Sequence, residues 1–239
     1  FIYNLNKNDE VYINYGKSYE TPSLSELSAN PNGVGFNGDL NPMNSSGFDL
    51  GFRNKSQNLS YSITAFYIKT NDEIVRYELE GFEGINFYRN LGTSKRIGTE
   101  MEVSYNLGKS GVLNASYTQA KYEFKNQEVS GDLPGIPKSN FALKWLYGYN
   151  DFDLKLDLKY VNSLYADNNN EVKVPSYLLS NIALKNKFNF RGFSLEAGLH
   201  IRNLLDEKYY DNIRTNAFGD RFYEPASLRS FILSIKTTF

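Results

Sequence analysis

Over the closing segment Ser227–Phe239, side chains alternate between apolar and polar up to the last residue. Phe239, Thr237, Ile235, Leu233 and Phe231 fall on one side, and Thr238, Lys236, Ser234, Ile232 and Ser230 on the other. Only Thr237 and Ile232 break the rule. A period of two belongs to a strand with one apolar and one wet face. In a soluble protein the last residues usually fray, and a terminal aromatic gains little. The closing strand of a membrane-spanning β-barrel uses one, because it places apolar groups on lipid and aromatics at the interface. A half-buried strand of a soluble sandwich shows the same alternation, so the remaining strands must decide.

They repeat the pattern. Val11, Ile13 and Tyr15 alternate with Tyr12, Asn14 and Gly16 in the strand 10–19. A short strand covers 47–53. Leu59, Tyr61, Ile63, Ala65 and Tyr67 oppose Ser60, Ser62 and Thr64, and Ile97 to Leu107 alternates with Gly98, Glu100, Glu102, Ser104 and Asn106. Strands follow at 112–122 and around Phe141, Leu143, Trp145 and Tyr147. The clearest is Phe152, Leu154, Leu156, Leu158 and Tyr160 against Asp153, Lys155, Asp157 and Lys159. A one-residue slip there would turn every charge toward lipid, at up to about 2–4 kcal/mol for a mid-bilayer cation. The two faces of 175–188 cannot be ranked, whereas 193–202 alternates again.

About ten strands of roughly 9–13 residues result, close to the 9–11 that a tilted strand needs to cross a bilayer. Connections alternate between short (54–58, 108–111, 149–151, 186–192) and long (20–46, 70–93, 123–138, 165–174, 203–226). Short turns on one rim and long loops on the other are the pattern of bacterial outer-membrane barrels. The expected fold is therefore an all-β, transmembrane antiparallel barrel. No run approaches the roughly 18 apolar residues of a membrane helix. The mean hydropathy of −0.50 suits strands that are apolar only at alternate positions. The absence of Cys excludes disulfides and thiolate metal sites, and a net charge of −1 with no basic run argues against nucleic acid. The opening Phe1-Ile2-Tyr3-Asn4-Leu5 reads as the tail of a strand with no signal peptide, so residues 1–239 are expected to be one domain's C-terminal fragment.

Several stretches, in order, resemble the C-terminal part of a TonB-dependent outer-membrane receptor. They are Tyr15 to Leu27 with its Thr21-Pro22-Ser23 core, Leu40-Asn41-Pro42 with Asp49-Leu50-Gly51-Phe52-Arg53, and Phe66-Tyr67. Asn90-Leu91-Gly92 with Gly98 to Glu102, Leu133 to Pro137, and Arg202-Asn203-Leu204-Leu205-Asp206-Glu207-Lys208-Tyr209 follow, and Arg229 to Phe239 completes the set. Met43 and Asp49 stand where the family usually has Glu. The resemblance implies ten strands and a stub of a 22-stranded barrel in the outer membrane of a Gram-negative bacterium, with the plug domain absent from this chain. It also implies uptake of an extracellular iron chelate (a ferric siderophore) to the periplasm, with energy from TonB through a segment outside this chain. Haem, cobalamin or glycan uptake is the alternative. The implied partners are the lipid bilayer, the cargo, the plug and N-terminal strands, TonB, and the barrel-assembly machinery. The machinery would meet the last strand, with its signature Phe231, Leu233, Ile235 and Phe239.

Arg76, Tyr77, Tyr88, Arg89, Tyr165, Arg214, Arg221 and Tyr223 lie in long loops, where aromatic and guanidinium groups could grip an anionic, aromatic chelate. Asp72, Glu73, Glu78, Glu80 and Glu83, with Arg76 and Arg89 among them, match no calcium-loop spacing and are expected to form a solvated loop. The run from Asp167 to Glu171 is expected to be a turn. His200, the sole histidine, is expected to be a hydrogen-bonded lumen residue, and 20–46 lacks the His that haem receptors of the family commonly carry. Gly98 suits close backbone approach, Asn203 and Asp206 a rim turn, and Arg229 the outer interface. No phosphate loop, nucleophile elbow or zinc spacing occurs, so no enzyme, metal or cofactor is expected. An omptin-like protease would need a His and several carboxylates gathered at the outer rim, and His200 lies near Glu196 but far in sequence from any acidic pair. A passive pore would conduct without TonB.

Overall fold

The structure, a computed structural model, describes residues 1–125 and 130–239; residues 126–129, within the expected loop 123–138, lie outside the described residues. Eleven strands follow one another around a curved wall: β1 (Ile2–Asn4), β2 (Asp9–Glu20), β3 (Met43–Lys55), β4 (Leu59–Asn71), β5 (Thr93–Asn106), β6 (Val112–Lys125), β7 (Ser139–Tyr149), β8 (Phe152–Val161), β9 (Tyr177–Phe190), β10 (Phe193–Arg202) and β11 (Ser230–Thr238). Each pairs antiparallel with its sequence neighbour, and the short strand Ser130–Asp132 adds to the end of β6 as the twelfth member of the sheet. The short turns leave no room for a crossover, and strands joined by the long loops pair with their sequence neighbours as well.

The register sorts side chains into two sets of rows. Leu154, Leu156 and Leu158 of β8 lie opposite Tyr147, Trp145 and Leu143 of β7 and opposite Leu184, Ile182 and Ser180 of β9. Between them Asp157 lies opposite Lys144 on one side and Asn181 on the other. This places the row Leu178, Ile182, Leu184 and Phe188 of β9 on the apolar face. Ser180 and Asn186 interrupt that row, and Leu179 and Ala183 sit on the other, so the sequence alone could not rank the two.

The polar rows line the concave side. Arg53, Ser62, Glu102, Ser116, Lys144 and Asp157 border a concavity of about 610 Å³. The apolar rows face outward without cover: Leu233 is 78% exposed and Ile235 76%. A water-soluble sheet would reverse this, burying the apolar rows to gain about 25 cal/mol per Å². The wall is inside-out with respect to water, as a strand in lipid requires.

β3 and β5 begin at Met43 and Thr93, four residues earlier than the expected 47 and 97. These extensions rise above the apolar belt, where both faces meet water and alternation has no cause. The long connections are also more ordered than their composition suggests. Ser23 and Glu26 form a reciprocal capping box on the short helix Leu24–Leu27. Three hairpins stand on the outer rim: Ile74–Tyr77 with Phe87–Asn90, Leu164–Tyr165 with Lys173–Val174, and Tyr210–Ile213 with Tyr223–Pro225.

Candidate functional site

Most of the buried apolar side chains lie in this loop layer or at its base; Ala120 of β6 and Val161 of β8 belong to the wall. Leu91, Phe124 and Leu133 form one cluster, and Ala166, Val174, Ala217 and Phe222 another. Phe124 belongs to the concave row of β6, opposite Ser94. The first cluster therefore sits inside the mouth, and the loops fold inward over the concavity.

Polar contacts stitch the loops together. Asn170 Nδ2 donates to the Asp132 carbonyl (2.9 Å), and its Oδ1 accepts from Asp132 N–H (2.7 Å). Asn168 N–H donates to Asn216 Oδ1 (2.8 Å), while Asn216 Nδ2 reaches the Arg76 carbonyl at 2.9 Å. Asn37 and Asn41 tie the first long loop to the backbone of Tyr88 and the side chain of Asn90. Asp167 accepts from the N–H groups of Asn169, Glu171 and Val172, the expected turn.

The acidic stretch 72–83 is not uniformly solvated, contrary to expectation. Glu73 is buried, paired with Arg96 at 2.7 Å and accepting from Ser94 Oγ at 2.6 Å. Arg96 also donates to Thr70 Oγ1 (2.7 Å), so a polar network anchors the hairpin base to β4 and β5. Glu78, with a side chain 1% exposed, accepts from Arg76 (3.1 Å), Arg221 (3.0 Å) and Phe218 N–H (3.2 Å). The contact with Arg221 spans 143 residues and fixes the second long loop to the fifth. Burial opposes ionisation of Glu78, but the N–H groups of Phe218 and Gly84 with the two guanidinium groups outweigh it. The net effect holds its pKa below the ordinary 4.5. The signal missed in the sequence is the distance: a partner 143 residues away leaves no local spacing.

This geometry sorts the eight candidate residues. Arg76 and Arg221 share Glu78, and Arg214 pairs with Glu224 at 2.6 Å. Arg89 has no ion pair among the described residues; it is exposed, 5.3 Å from the centre of the Tyr77 ring. Tyr77 also packs on Phe87, and Tyr223 stacks on Tyr210 with centroids 4.4 Å apart. Tyr88 and Tyr165 are half-buried, and their carbonyls accept from Asn37 and from Gly135. The candidates occupy one mouth but not one pocket. Arg89–Tyr77 and Tyr210–Tyr223 are the two aromatic platforms.

Beneath the last hairpin, a cavity of about 270 Å³ is bordered by Asn140, Lys159, Asn162, Tyr177, Tyr210 and Asp211. The buried Oδ1 of Asn140 has no partner there. His200 faces the concave side, opposite Ala183 and Ile232. It makes no side-chain hydrogen bond among the described residues, a departure from expectation that follows from its apolar neighbours. The rim turn is as expected: Asn203 (φ 51°) and Asp206 (φ 56°) are left-handed, and Asn203 both accepts from and donates to the backbone of Glu207 at 2.8 Å. Arg229 donates its backbone N–H to Asp206 (2.9 Å) and a guanidinium N–H to the Leu204 carbonyl (3.3 Å).

Comparison with known proteins assigns the architecture. The family described as "TonB dependent receptor-like, beta-barrel" matches residues 1–204. The chain belongs to the TonB-dependent receptor family. It is 24% identical over 248 residues to the catecholate siderophore receptor Fiu of Escherichia coli K12, covering all of this chain and 32% of that receptor. It is 24% identical over 220 residues to the ferrioxamine receptor of Yersinia enterocolitica, covering 87% and 29%. The solved structure of the copper transporter OprC shares the fold, with a TM-score of 0.75, 21% identity, and coverage of 98% of this chain and 38% of OprC. The chain thus spans about a third of the length of the curated relatives it matches. As part of a TonB-dependent receptor barrel, it is an integral outer-membrane element of a Gram-negative cell. The family consists of transport receptors, not enzymes, and the protease alternative falls with that.

Proposed function

We propose that the receptor containing this chain takes up an iron chelate, a ferric siderophore, across the outer membrane with energy supplied through TonB. The observation that carries this reading is the mouth itself: five long loops interlocked over a polar concavity, with aromatic platforms and an exposed guanidinium at the entrance. A flat, anionic, aromatic or amide-rich chelate suits such groups, which combine ring stacking with cation contact. Arg89 and Tyr77 are the first contact, with Tyr88, Tyr165 and Tyr223 around them. Arg76, Arg214 and Arg221 are held by carboxylates in this arrangement and would have to exchange partners to reach cargo. Two relatives named for catecholate siderophores and for ferrioxamine lend support. The remaining strands, a plug and the TonB-contacting segment belong to the rest of the receptor.

The test is uptake of single radiolabelled ferric chelates by cells with and without the gene, repeated with TonB removed. Uptake of one chelate that requires both the receptor and TonB is expected. Equal iron uptake with and without the gene across catecholates, hydroxamates and carboxylates would refute the siderophore reading.

A further inference from the structure

The sequence holds no basic run, but the strand register assembles one on the lipid-facing side. Lys17 of β2 lies opposite Ser46 of β3, Ser46 opposite Lys69 of β4, and Lys69 opposite Lys95 of β5. Three ladder steps make this row roughly 14 Å long. By alternation these residues share the outward face with Ile13, Ile63 and Ile97, each about half exposed. The row two residues nearer the short-turn rim is Tyr15, Phe48, Tyr67 and Ile97, with the Phe48 and Tyr67 rings stacked at 5.6 Å. The row above is polar: Tyr19, Asn44 and Asn71, the last accepting from Thr93 Oγ1 at 3.3 Å. The lysines therefore cap an aromatic girdle, at the depth where acyl chains give way to headgroups.

None of the three lysines has an ion pair among the described residues, and Lys17 and Lys69 are exposed. Glu123, opposite Lys95 across the next ladder, is bonded to Lys121 at 2.5 Å. Other wall cations are paired, Lys55 with Glu10, Arg96 with Glu73, Lys155 with Asp157 and Lys185 with Glu196, or stand singly among the described residues, as Lys144, Lys159 and Lys236 do; Lys17, Lys69 and Lys95 share one outward row. Like charges directly opposite one another destabilise a ladder, as Lys69 and Lys95 must, unless an anion sits between them.

We propose that Lys17, Lys69 and Lys95 bind the phosphate groups of a lipid in the outer leaflet, whose acyl chains lie along the Tyr15–Phe48–Tyr67 row. Flexible ammonium groups suit phosphate as point charges, and their stems cover apolar surface while the charge reaches the headgroup plane. The proposal rests on the outer-membrane placement and not on the cargo, so loss of iron uptake and loss of lipid binding are separable results.

The test uses the full-length receptor in phosphatidylcholine nanodiscs, titrated with a diphosphorylated disaccharide lipid and with its dephosphorylated counterpart, read by native mass spectrometry. At about a factor of five per surface lysine, K17Q/K69Q/K95Q should bind the phosphorylated lipid roughly 100-fold more weakly. K17R/K69R/K95R should retain binding, as should K109Q/K187Q, which changes lysines near the opposite rim. Equal binding by the triple Gln variant, equal binding of the dephosphorylated lipid by the parent, or displacement of the lipid by millimolar inorganic phosphate would each overturn the proposal. A triple Gln variant that fails to fold would leave the parent's lipid preference and the Arg variant as the deciding readings.

Discussion

A Cβ placed on Gly98 would lie 2.4 Å from the Cβ of Ala120 and 2.5 Å from the Gln119 carbonyl. Neither neighbour is the tip of a flexible side chain, so β5 and β6 would have to part. Gly98→Ala is expected to destabilise the barrel by about 1–3 kcal/mol, the cost of overpacking. The temperature of the heat-dependent electrophoretic shift should fall, and an unchanged temperature would contradict this packing. Gly51 shows the same principle in another form: its missing side chain makes room for the Tyr12 ring, whose hydroxyl bonds Thr64 Oγ1 at 2.6 Å. Glu78 sets a pH response. Its folded pKa is depressed, so the stability it adds is complete above the unfolded value near 4.5 and is lost as pH falls through the folded value. Exchange protection at 74–90 and 216–222 should therefore drop together on acidification below pH 4.5, and Glu78→Gln should show the acid-state protection at neutral pH. Protection unchanged in that variant would mean that Glu78 does not join the loops. Gly98 was legible in sequence as a glycine in a lumen-facing row. Glu73 and Glu78 were not, because the Ser94 and Arg96 that bury Glu73 lie 21 and 23 residues on, and the Arg221 that joins Glu78 to another loop lies 143 residues on.

At the level of elements, strands were legible only where their two faces meet different solvents. Inside the bilayer that difference imposes alternation, and β8 and β11 were placed from it alone. Above the bilayer the cause vanishes, so the first turns of β3 and β5 and the three rim hairpins read as loop. The turn after β10 is the exception, since Asn and Asp are among the few residues that adopt positive φ at low cost. Asn203, 4% exposed, closes that turn through hydrogen bonds to both backbone groups of Glu207. Asn203→Ala leaves those groups unpaired and is expected to cost about 1–3 kcal/mol. It should also loosen the start of β11, because Arg229 N–H hangs on Asp206 three residues further on. Amide exchange at Arg229 and Ser230 checks this. Rates equal to the parent's would show that β11 holds its place without the turn.

For the whole molecule, stability and function divide by height. The wall gains its stability from lipid outside and from continuous ladders within, and the loop layer carries the buried apolar clusters and the ion pairs that shape the mouth. The barrel class was legible because the long and short connections alternate throughout. The mouth was not, because its geometry arises from contacts among five loops distant in sequence. The inside-out wall is the claim on which the rest stands, and spin labels at paired positions in the full-length receptor in bilayers test it most directly. Labels at Leu156 and Leu233 should be relaxed by oxygen, which concentrates in lipid, while labels at the adjacent Asp157 and Ser234 should be relaxed by a water-soluble nickel chelate. Nickel access at Leu156 and Leu233, with oxygen dominating at Asp157 and Ser234, would contradict it.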